Sequence, residues 1–250
     1  MKLSFRLHLL FYFTILNLFS QIDDTTLLNK EMIKLSDDFN SEIFFKKAIN
    51  FYLQKQWDST LIYSQKQLVT NNTKNIKGYL HFLRGTSFYH KELFDQAIHE
   101  YQLITTKNKL YSLSKMFLGS LYLEQKDYNK AISYFKDLEN LSKQNLSFIK
   151  KNAVIHNIGV SYLHLKQFDK AEPYLIQSLQ YEEQKKDTLE LVGSYGEIAN
   201  FYYEQYKDDI AIPYFEKAYL LAKQTNDFTL KKNTTQNMSV VEQNRKNFEK

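Results

Sequence analysis

Small, aromatic and aliphatic residues recur along the chain in one fixed order, separated by polar and charged residues. The stretch beginning at Tyr122 reads YLEQKDYNKAISYFKDL, and forty residues later the chain reads YLHLKQFDKAEPYLIQSL. With Ala131 as the reference position, a small residue lies 12 positions before it, aromatic residues lie 9 and 3 positions before it, and Phe135 lies 4 positions after it. A pattern repeated at a fixed period predicts stacked copies of one supersecondary unit.

Five copies of this order follow one another. Their reference positions are Thr60, Ala97, Ala131, Ala171 and Ala211, and their small residues are Ala48, Gly85, Gly119, Gly159 and Ala199. The copy around Thr60 matches least well. The reference positions are 37, 34, 40 and 40 residues apart. The longer steps predict longer helices in the later copies, and we expect a long first helix over residues 145–165.

Each copy predicts two helices, called helix A and helix B below, because the 250 residues include only 6 Gly and 2 Pro to form turns. Residue types that favour the N-cap lie two positions before each reference position and predict the start of helix B: Asp58, Asp95, Asn129, Asp169 and Asp209. Pro173 and Pro213 lie two positions after theirs. Because proline is tolerated close to a helix start, they predict that helices begin near residues 168 and 208.

The segment Leu118-Gly119-Ser120-Leu121-Tyr122, followed by Ala131 and Phe135, resembles the tetratricopeptide repeat. The resemblance covers residues 40–250. It implies an all-α, right-handed superhelical solenoid of antiparallel helix pairs, with about five and a half repeats. Asp208 departs from the aromatic column, and we expect Tyr206 to substitute for it. We place a leading, capping helix over 21–40 and repeats near 41–72, 76–107, 110–145, 148–186, 188–226 and, incomplete, 228–250.

The last copy is unfinished. At a step of 40, Ser239 matches Ala199, Phe248 matches Phe168 at the start of a helix B, and the next reference position lies beyond Lys250. We expect the native protein to continue past Lys250, rather than to end in an unusual cap helix. Together with the repeats and the signal-peptide layout of residues 1–20 described next, this ending resembles the extracytoplasmic sensor regions of bacterial membrane proteins that carry a histidine kinase or a helix-turn-helix regulator inside the cell.

The first 20 residues have the layout of a secretory signal peptide. Lys2 and Arg6 precede a mostly apolar run from Leu7 to Phe19, and Ser20 precedes polar residues. The run is shorter than the roughly 20 apolar residues that a spanning helix needs. We therefore favour a signal peptide over an uncleaved anchor or a buried helix, and we expect a secreted or periplasmic protein.

Charge and motifs argue against several classes of function. The formal net charge is +5, but the lysines are scattered and only three residues are arginine, so no stripe for nucleic acid is predicted. The absence of cysteine excludes disulfides, thiolate metal sites and cysteine nucleophiles. We find no hydrolase, phosphate-binding or zinc-protease motif. We therefore expect no catalytic residue, no cofactor and no metal.

The resemblance implies that helices A line a concave groove, and it gives the positions that face into that groove. Aromatic and methionine side chains there suit a protein or peptide segment. The residues we select are Phe45, Tyr52, Phe82, Tyr89, His90, Met116, His156, His164, Asn200 and Tyr203. The alternative is that neighbouring repeats or the leading helix cover some of them. Capture of a terminal carboxylate is disfavoured, because only Asn200 fits and Gly196 stands where lysine is wanted.

The sequence therefore predicts a non-catalytic scaffold outside the cytoplasm that holds a protein or peptide in its groove. The alternative is the ligand-sensing part of a membrane signalling protein, in which case the membrane contact would come from a segment after Lys250. An enzyme is a third hypothesis, and no motif supports it.

Overall fold

The computed structural model describes residues 25–70, 75–141, 148–186 and 188–248, so the predicted signal peptide lies outside the described residues. The described residues form helices and no strand, as the all-α prediction requires. The helices are α1 (Thr25–Asp38), α2 (Ile43–Leu53), α3 (Trp57–Leu68), α4 (Lys77–His90), α5 (Phe94–Gln102), α6 (Tyr111–Glu124), α7 (Tyr128–Glu139), α8 (Lys151–His164), α9 (Phe168–Lys185), α10 (Thr188–Glu204), α11 (Asp208–Gln224) and α12 (Phe228–Phe248).

The described residues divide into two compact units, and the boundary falls within α8, between Asn157 and Ile158. In the N-terminal unit, residues 25–157, α1 packs on α2, and the pairs α2–α3, α4–α5 and α6–α7 follow. In the C-terminal unit, residues 158–248, α9 packs on α10, α10 on α11, and α11 on α12. A turn of three residues joins helix A to helix B in each copy, so the two helices of a pair are antiparallel.

The small residues bring the two helices of each pair into close contact. A methyl group added at Gly119 would lie 2.5 Å from a ring carbon of Phe135, and one at Gly85 would lie 2.7 Å from a ring carbon of Tyr101. All five reference positions are completely buried: Thr60, Ala97, Ala131, Ala171 and Ala211. The register read from the sequence therefore describes real packing positions.

The turn from helix A to helix B has the same backbone in all five copies. The residue five positions before each reference position has a left-handed conformation: Lys55, Glu92, Lys126, Lys166 and Tyr206. In the third copy, Lys126 N–H donates to the Leu123 carbonyl at 3.0 Å and Asp127 N–H donates to the Tyr122 carbonyl at 2.8 Å. These two bonds form a Schellman motif, which satisfies the last carbonyls of helix A.

The Schellman turn gives a stability prediction, because a side chain in the left-handed region costs about 1–2 kcal/mol. We expect Lys126→Gly to raise the free energy of unfolding by about 0.5–1 kcal/mol. Gln125→Gly, one residue earlier in a right-handed conformation, is the control and should lower it. Urea denaturation checks both variants, and a lower midpoint for Lys126→Gly would contradict the argument.

The N-caps lie two positions before the residues predicted for them, at Gln56, Leu93, Asp127, Gln167 and Lys207. Helices B begin one residue before Asp58, Asp95, Asn129, Asp169 and Asp209, so these residues occupy the second position of each helix. Asp127 does cap α7 with its side chain, since Lys130 N–H donates to its carboxylate at 3.2 Å. The acids in the first turn still stabilise the positive end of the helix dipole.

Helix lengths agree with the sequence in part. The helices α9 and α11 begin at Phe168 and Asp208, as predicted, and α9, α10 and α11 have 18, 17 and 17 residues. The long first helix over 145–165 is wrong, because α8 begins at Lys151 and has 14 residues. The helix α12 runs without a break through Phe248, so the turn expected before that residue does not occur. Tyr206 does not replace the missing aromatic, because it is 78% exposed.

Candidate functional site

Three of the predicted groove residues belong to the core of the N-terminal unit. Phe45, Phe82 and Met116 have no exposed surface, so the prediction that they face a groove is wrong. The ring of Phe82 lies 5.8 Å from that of Phe117, one repeat further along, and the ring of Phe45 lies 6.1 Å from that of Phe39. This position fills the space between successive helices instead of lining a surface.

Tyr52 belongs to a buried hydroxyl cluster between α2, α4 and α5. Its side chain hydrogen-bonds to Thr86, whose hydroxyl oxygen lies 3.0 Å from that of Tyr101. Burial raises the pKa of Tyr52 and Tyr101, and the hydrogen bonds to Thr86 lower it by less. Both phenols are therefore protonated at neutral pH and serve as hydrogen-bonding groups inside the unit.

Tyr89 and His90 lie at the end of α4, next to residues at the ends of neighbouring helices. We call this group the aromatic patch; it consists of the rings of Trp57, Tyr89, His90 and Phe94 together with the carboxylate of Glu124. The His90 ring stacks on Trp57 at 4.2 Å with an interplanar angle of 8°, and it lies 5.5 Å from the ring of Tyr89. Tyr89 lies 6.0 Å from Phe94 and donates a hydrogen bond to Glu124. His90 is exposed and the other four side chains are half-buried.

The electrostatics of the aromatic patch are set by Glu124 and His90. Burial raises the pKa of Glu124, and the hydrogen bond from Tyr89 opposes this rise to a smaller extent. Burial lowers the pKa of His90, and the charge of Lys55 lowers it further. At neutral pH His90 is therefore neutral, while the Glu124 carboxylate lies in surroundings that disfavour its charge.

The stack of His90 on Trp57 can be followed by fluorescence, because Trp57 is the only tryptophan of the sequence. Protonated imidazole quenches a stacked indole more strongly than neutral imidazole does. We expect Trp57 emission to fall as the pH is lowered, with a midpoint below the ordinary histidine pKa of 6.5. His90→Gln should abolish this titration; a midpoint above that value would contradict the assignment.

The remaining predicted residues are dispersed. His156 is half-buried in the N-terminal unit, where its Nδ1 lies 3.4 Å from the side-chain oxygen of Asn157. In the C-terminal unit His164 is exposed at the end of α8, while Tyr203 is buried and packs edge-on against Phe215 at 6.2 Å. Asn200 is 3% exposed, and its side-chain oxygen has no hydrogen-bond partner among the described residues. Whether the half-buried or exposed residues Tyr89, His90, His156 and His164 contact a partner stays a prediction.

Trp57 and Phe94 were not expected at a surface site. Both lie three positions before their reference residues, in the column that predicts aromatic side chains packed between helices. The spacing identifies this aromatic position of the repeat correctly, but it does not predict the exposed fraction of each ring. Glu124 lies five residues after Gly119, the place that the predicted groove residues His90 and His164 have after Gly85 and Gly159. Its partial burial depends on the side chains around it, which the spacing does not give.

None of the helices in the described ranges combines the length and the apolar character needed to cross a membrane. In the same part of the chain, no three His, Asp or Glu side chains are grouped so as to hold a metal ion.

Family comparisons match three consecutive copies. Two sequence models, both described as Tetratricopeptide repeat, match residues 114–145 and 153–185 in one case and residues 191–227 in the other. The matched segments correspond to the helix pairs α6–α7, α8–α9 and α10–α11.

Two curated proteins resemble parts of the chain. The Hsp70-Hsp90 organising protein of Plasmodium falciparum (isolate 3D7) is 28% identical over 102 residues, which cover 39% of this chain and 18% of that protein. The Intraflagellar transport protein 88 homolog of Homo sapiens is 33% identical over 84 residues, which cover 32% of this chain and 10% of that protein. The chain thus spans less than a fifth of the length of these relatives.

Solved structures extend the likeness to most of the chain. The MamA RS-1 ArsTM double mutant has a TM-score of 0.63 at 10% identity and covers 75% of this chain and 97% of its own. The apo form of RapI has a TM-score of 0.60 at 16% identity, with 85% and 62% covered. The C-terminal part of a TPR repeat-containing protein from Cytophaga hutchinsonii has a TM-score of 0.57 at 19% identity, with 79% and 74% covered. At these identities the likeness shows the fold, which is an all-α, repeat-type arrangement of helix pairs.

Proposed function

Since the chain is a tetratricopeptide-repeat protein, we propose that it is a scaffold that binds another protein and has no catalytic activity of its own. Stacked helix pairs present extended surfaces that suit a polypeptide partner. The relative from Plasmodium falciparum is named for organising two other proteins, Hsp70 and Hsp90. We propose the same general role, the holding of a protein segment, for this chain.

The observation that carries this proposal is the aromatic patch. Half-buried aromatic side chains provide large contact areas with little loss of conformational entropy, and such residues are enriched at binding hot spots. His90 contacts both Tyr89, its neighbour on α4, and Trp57, which comes from the preceding repeat. We therefore place the partner segment across helices A of the N-terminal unit, with Tyr89 as a contact residue.

Selection from a displayed peptide library tests this function with the full-length protein. We expect binding peptides, and we expect Tyr89→Ala to weaken the best of them by about tenfold, or ~1.4 kcal/mol. Tyr134→Ala is the control, because Tyr134 is half-buried in the same unit but lies on helix B and stacks on Tyr122 at 5.5 Å. Failure to select any peptide, or equal weakening by both variants, would contradict the proposal.

We also propose that the protein acts outside the cytoplasm. The support for this is the layout of residues 1–20, with Lys2 and Arg6 before an apolar run and Ser20 after it. Mass spectrometry of the mature protein should show a new amino terminus close to Gln21. An intact Met1 in the cytoplasmic fraction would contradict this location.

A further inference from the structure

The carboxylate of Glu124 is incompletely satisfied within the part of the chain that the structure describes. One of its oxygens, Oε1, is fully buried and accepts no hydrogen bond, while Tyr89 donates to the carboxylate. No cation of the described residues pairs with it. A carboxylate that is withdrawn from water without a counter-charge loses hydration that nothing replaces. Pairing with a bound cation would therefore contribute a large favourable free energy of binding.

The hydrogen bond from Tyr89 links Glu124 to a series of aromatic rings. Tyr89 connects the carboxylate to His90 and Phe94, and His90 in turn stacks on Trp57. The faces of Tyr, Phe and Trp rings attract ammonium and guanidinium groups within about 6 Å, most strongly when water is partly excluded. Rings and a carboxylate placed together favour the same kind of ligand group, an organic cation.

None of the described lysines in the neighbouring turns pairs with Glu124. Lys91 pairs with Asp58 at 2.5 Å, and the charge of Lys55 lies close enough to His90 to lower its pKa. Lys126 follows Glu124 by two residues, but it is exposed in the left-handed position of the turn. The described residues therefore provide no counter-charge for Glu124, and a cation from a binding partner could provide it.

We propose that the aromatic patch binds a lysine or arginine side chain of the partner, with Glu124 as the counter-charge and Tyr89 as the neighbouring ring. This proposal rests on the protein-binding function above and adds the chemistry of the partner segment. Binding at this place does not require a free carboxyl terminus in the partner. It selects a segment by a positive side chain.

Small probes test the site independently of any peptide. Nα-acetyl-arginine amide should bind the full-length protein saturably, as followed by calorimetry and by Trp57 emission. Nα-acetyl-citrulline amide has nearly the same shape without the charge, and it should not bind. Glu124→Gln should weaken binding of the arginine probe at least about tenfold, whereas Glu139→Gln removes a carboxylate on α7 and should leave binding unchanged.

Each other outcome overturns the inference. Absence of saturable binding of the arginine probe, equal binding of the citrulline probe, or unchanged binding by Glu124→Gln would show that Glu124 is not a cation site. The peptide selection then separates the two proposals. Peptides that bind without lysine or arginine, and that are unaffected by Glu124→Gln, would leave the scaffold function intact while this inference fails.

Thermal unfolding provides a second readout for the same variant. Because burial disfavours the Glu124 charge, Glu124→Gln should have an equal or higher Tm at neutral pH, so weaker binding cannot be attributed to unfolding. Its gain over the wild type should shrink as the pH falls toward the ordinary glutamate pKa of 4.5. A lower Tm at neutral pH would show that the carboxylate stabilises the fold, which contradicts the unmet charge on which the inference depends.

Discussion

Replacing Ala131 with phenylalanine is expected to lower the free energy of unfolding by about 3 kcal/mol or more. Ala131 lies on α7, has no exposed surface and is one of the five buried reference positions. The helices α6 and α7 already approach so closely that a methyl group at Gly119 would lie 2.5 Å from Phe135. A phenyl ring has no space in this interface unless the two helices separate.

Ser133→Phe is the matched control for this substitution. Ser133 lies two residues further along α7 and is exposed, so the same ring there should change the free energy of unfolding by less than about 0.5 kcal/mol. Urea denaturation of both variants, followed by far-UV circular dichroism, gives the comparison. Equal midpoints for Ala131→Phe and the wild type would mean that the register describes the wrong face of α7.

The helix pairs were predictable because close packing restricts the identity of single residues. A glycine or alanine is required wherever two helix axes approach closely, so Gly85, Gly119 and Gly159 mark the contact directly in the sequence. The same restriction keeps the reference position small. A pattern built from such residues survives even where the surface residues between them vary.

Exact helix starts and the burial of single side chains could not be predicted from the sequence, because different arrangements use the same residue types. Asp58 suits an N-cap, but it is also favourable in the first turn, so residue type cannot fix a helix start to one position. The spacing of Phe82 places it on the face of helix A next to the following repeat. Its burial, however, depends on Phe117, which lies one repeat further along the chain.

One position of the repeat is aromatic in four copies and acidic in the second. Three positions after the reference position stand Tyr63, Tyr134, Tyr174 and Tyr214, and each packs against an aromatic ring of its own helix A. The second copy has Glu100 at this position. The surrounding residues have changed with it, since His81 occupies the place where the first copy has Phe44, whose ring lies 6.4 Å from that of Tyr63.

Glu100 is held by two cationic or polar partners on α4. Its carboxylate oxygens lie 2.7 Å from Arg84 Nε and 2.7 Å from His81 Nδ1, and its side chain is 8% exposed. Burial raises the pKa of Glu100, but the hydrogen bonds and charges of His81 and Arg84 together outweigh it and lower the pKa below its ordinary value of 4.5. The ionised form is therefore the stable form in the folded protein.

Glu100→Gln is expected to lower the free energy of unfolding at neutral pH by about 3 kcal/mol, because it leaves the guanidinium of Arg84 without its counter-charge. The sign of the pH dependence follows from the lowered pKa. Glu100 contributes its full stabilisation above pH 4.5 and loses it as the pH falls through the folded-state pKa. The difference between wild type and variant should thus be constant near neutrality and shrink in acid.

Two further variants separate charge from packing. Glu139→Gln removes a carboxylate that pairs with Lys136 at the surface, and it should cost less than about 0.5 kcal/mol. The double substitution Glu100→Tyr with His81→Phe recreates the aromatic arrangement of the first copy. Arg84 would then lie near the new tyrosine ring, as Lys47 lies over the Tyr63 ring at 5.2 Å in the first copy. Because a buried ionic group can often be exchanged for well-packed residues without loss, the double variant should recover most of the stability and abolish the acid dependence. If the double variant is as unstable as Glu100→Gln, the column does not accept rings in the second copy and the equivalence of the repeats at this position is wrong.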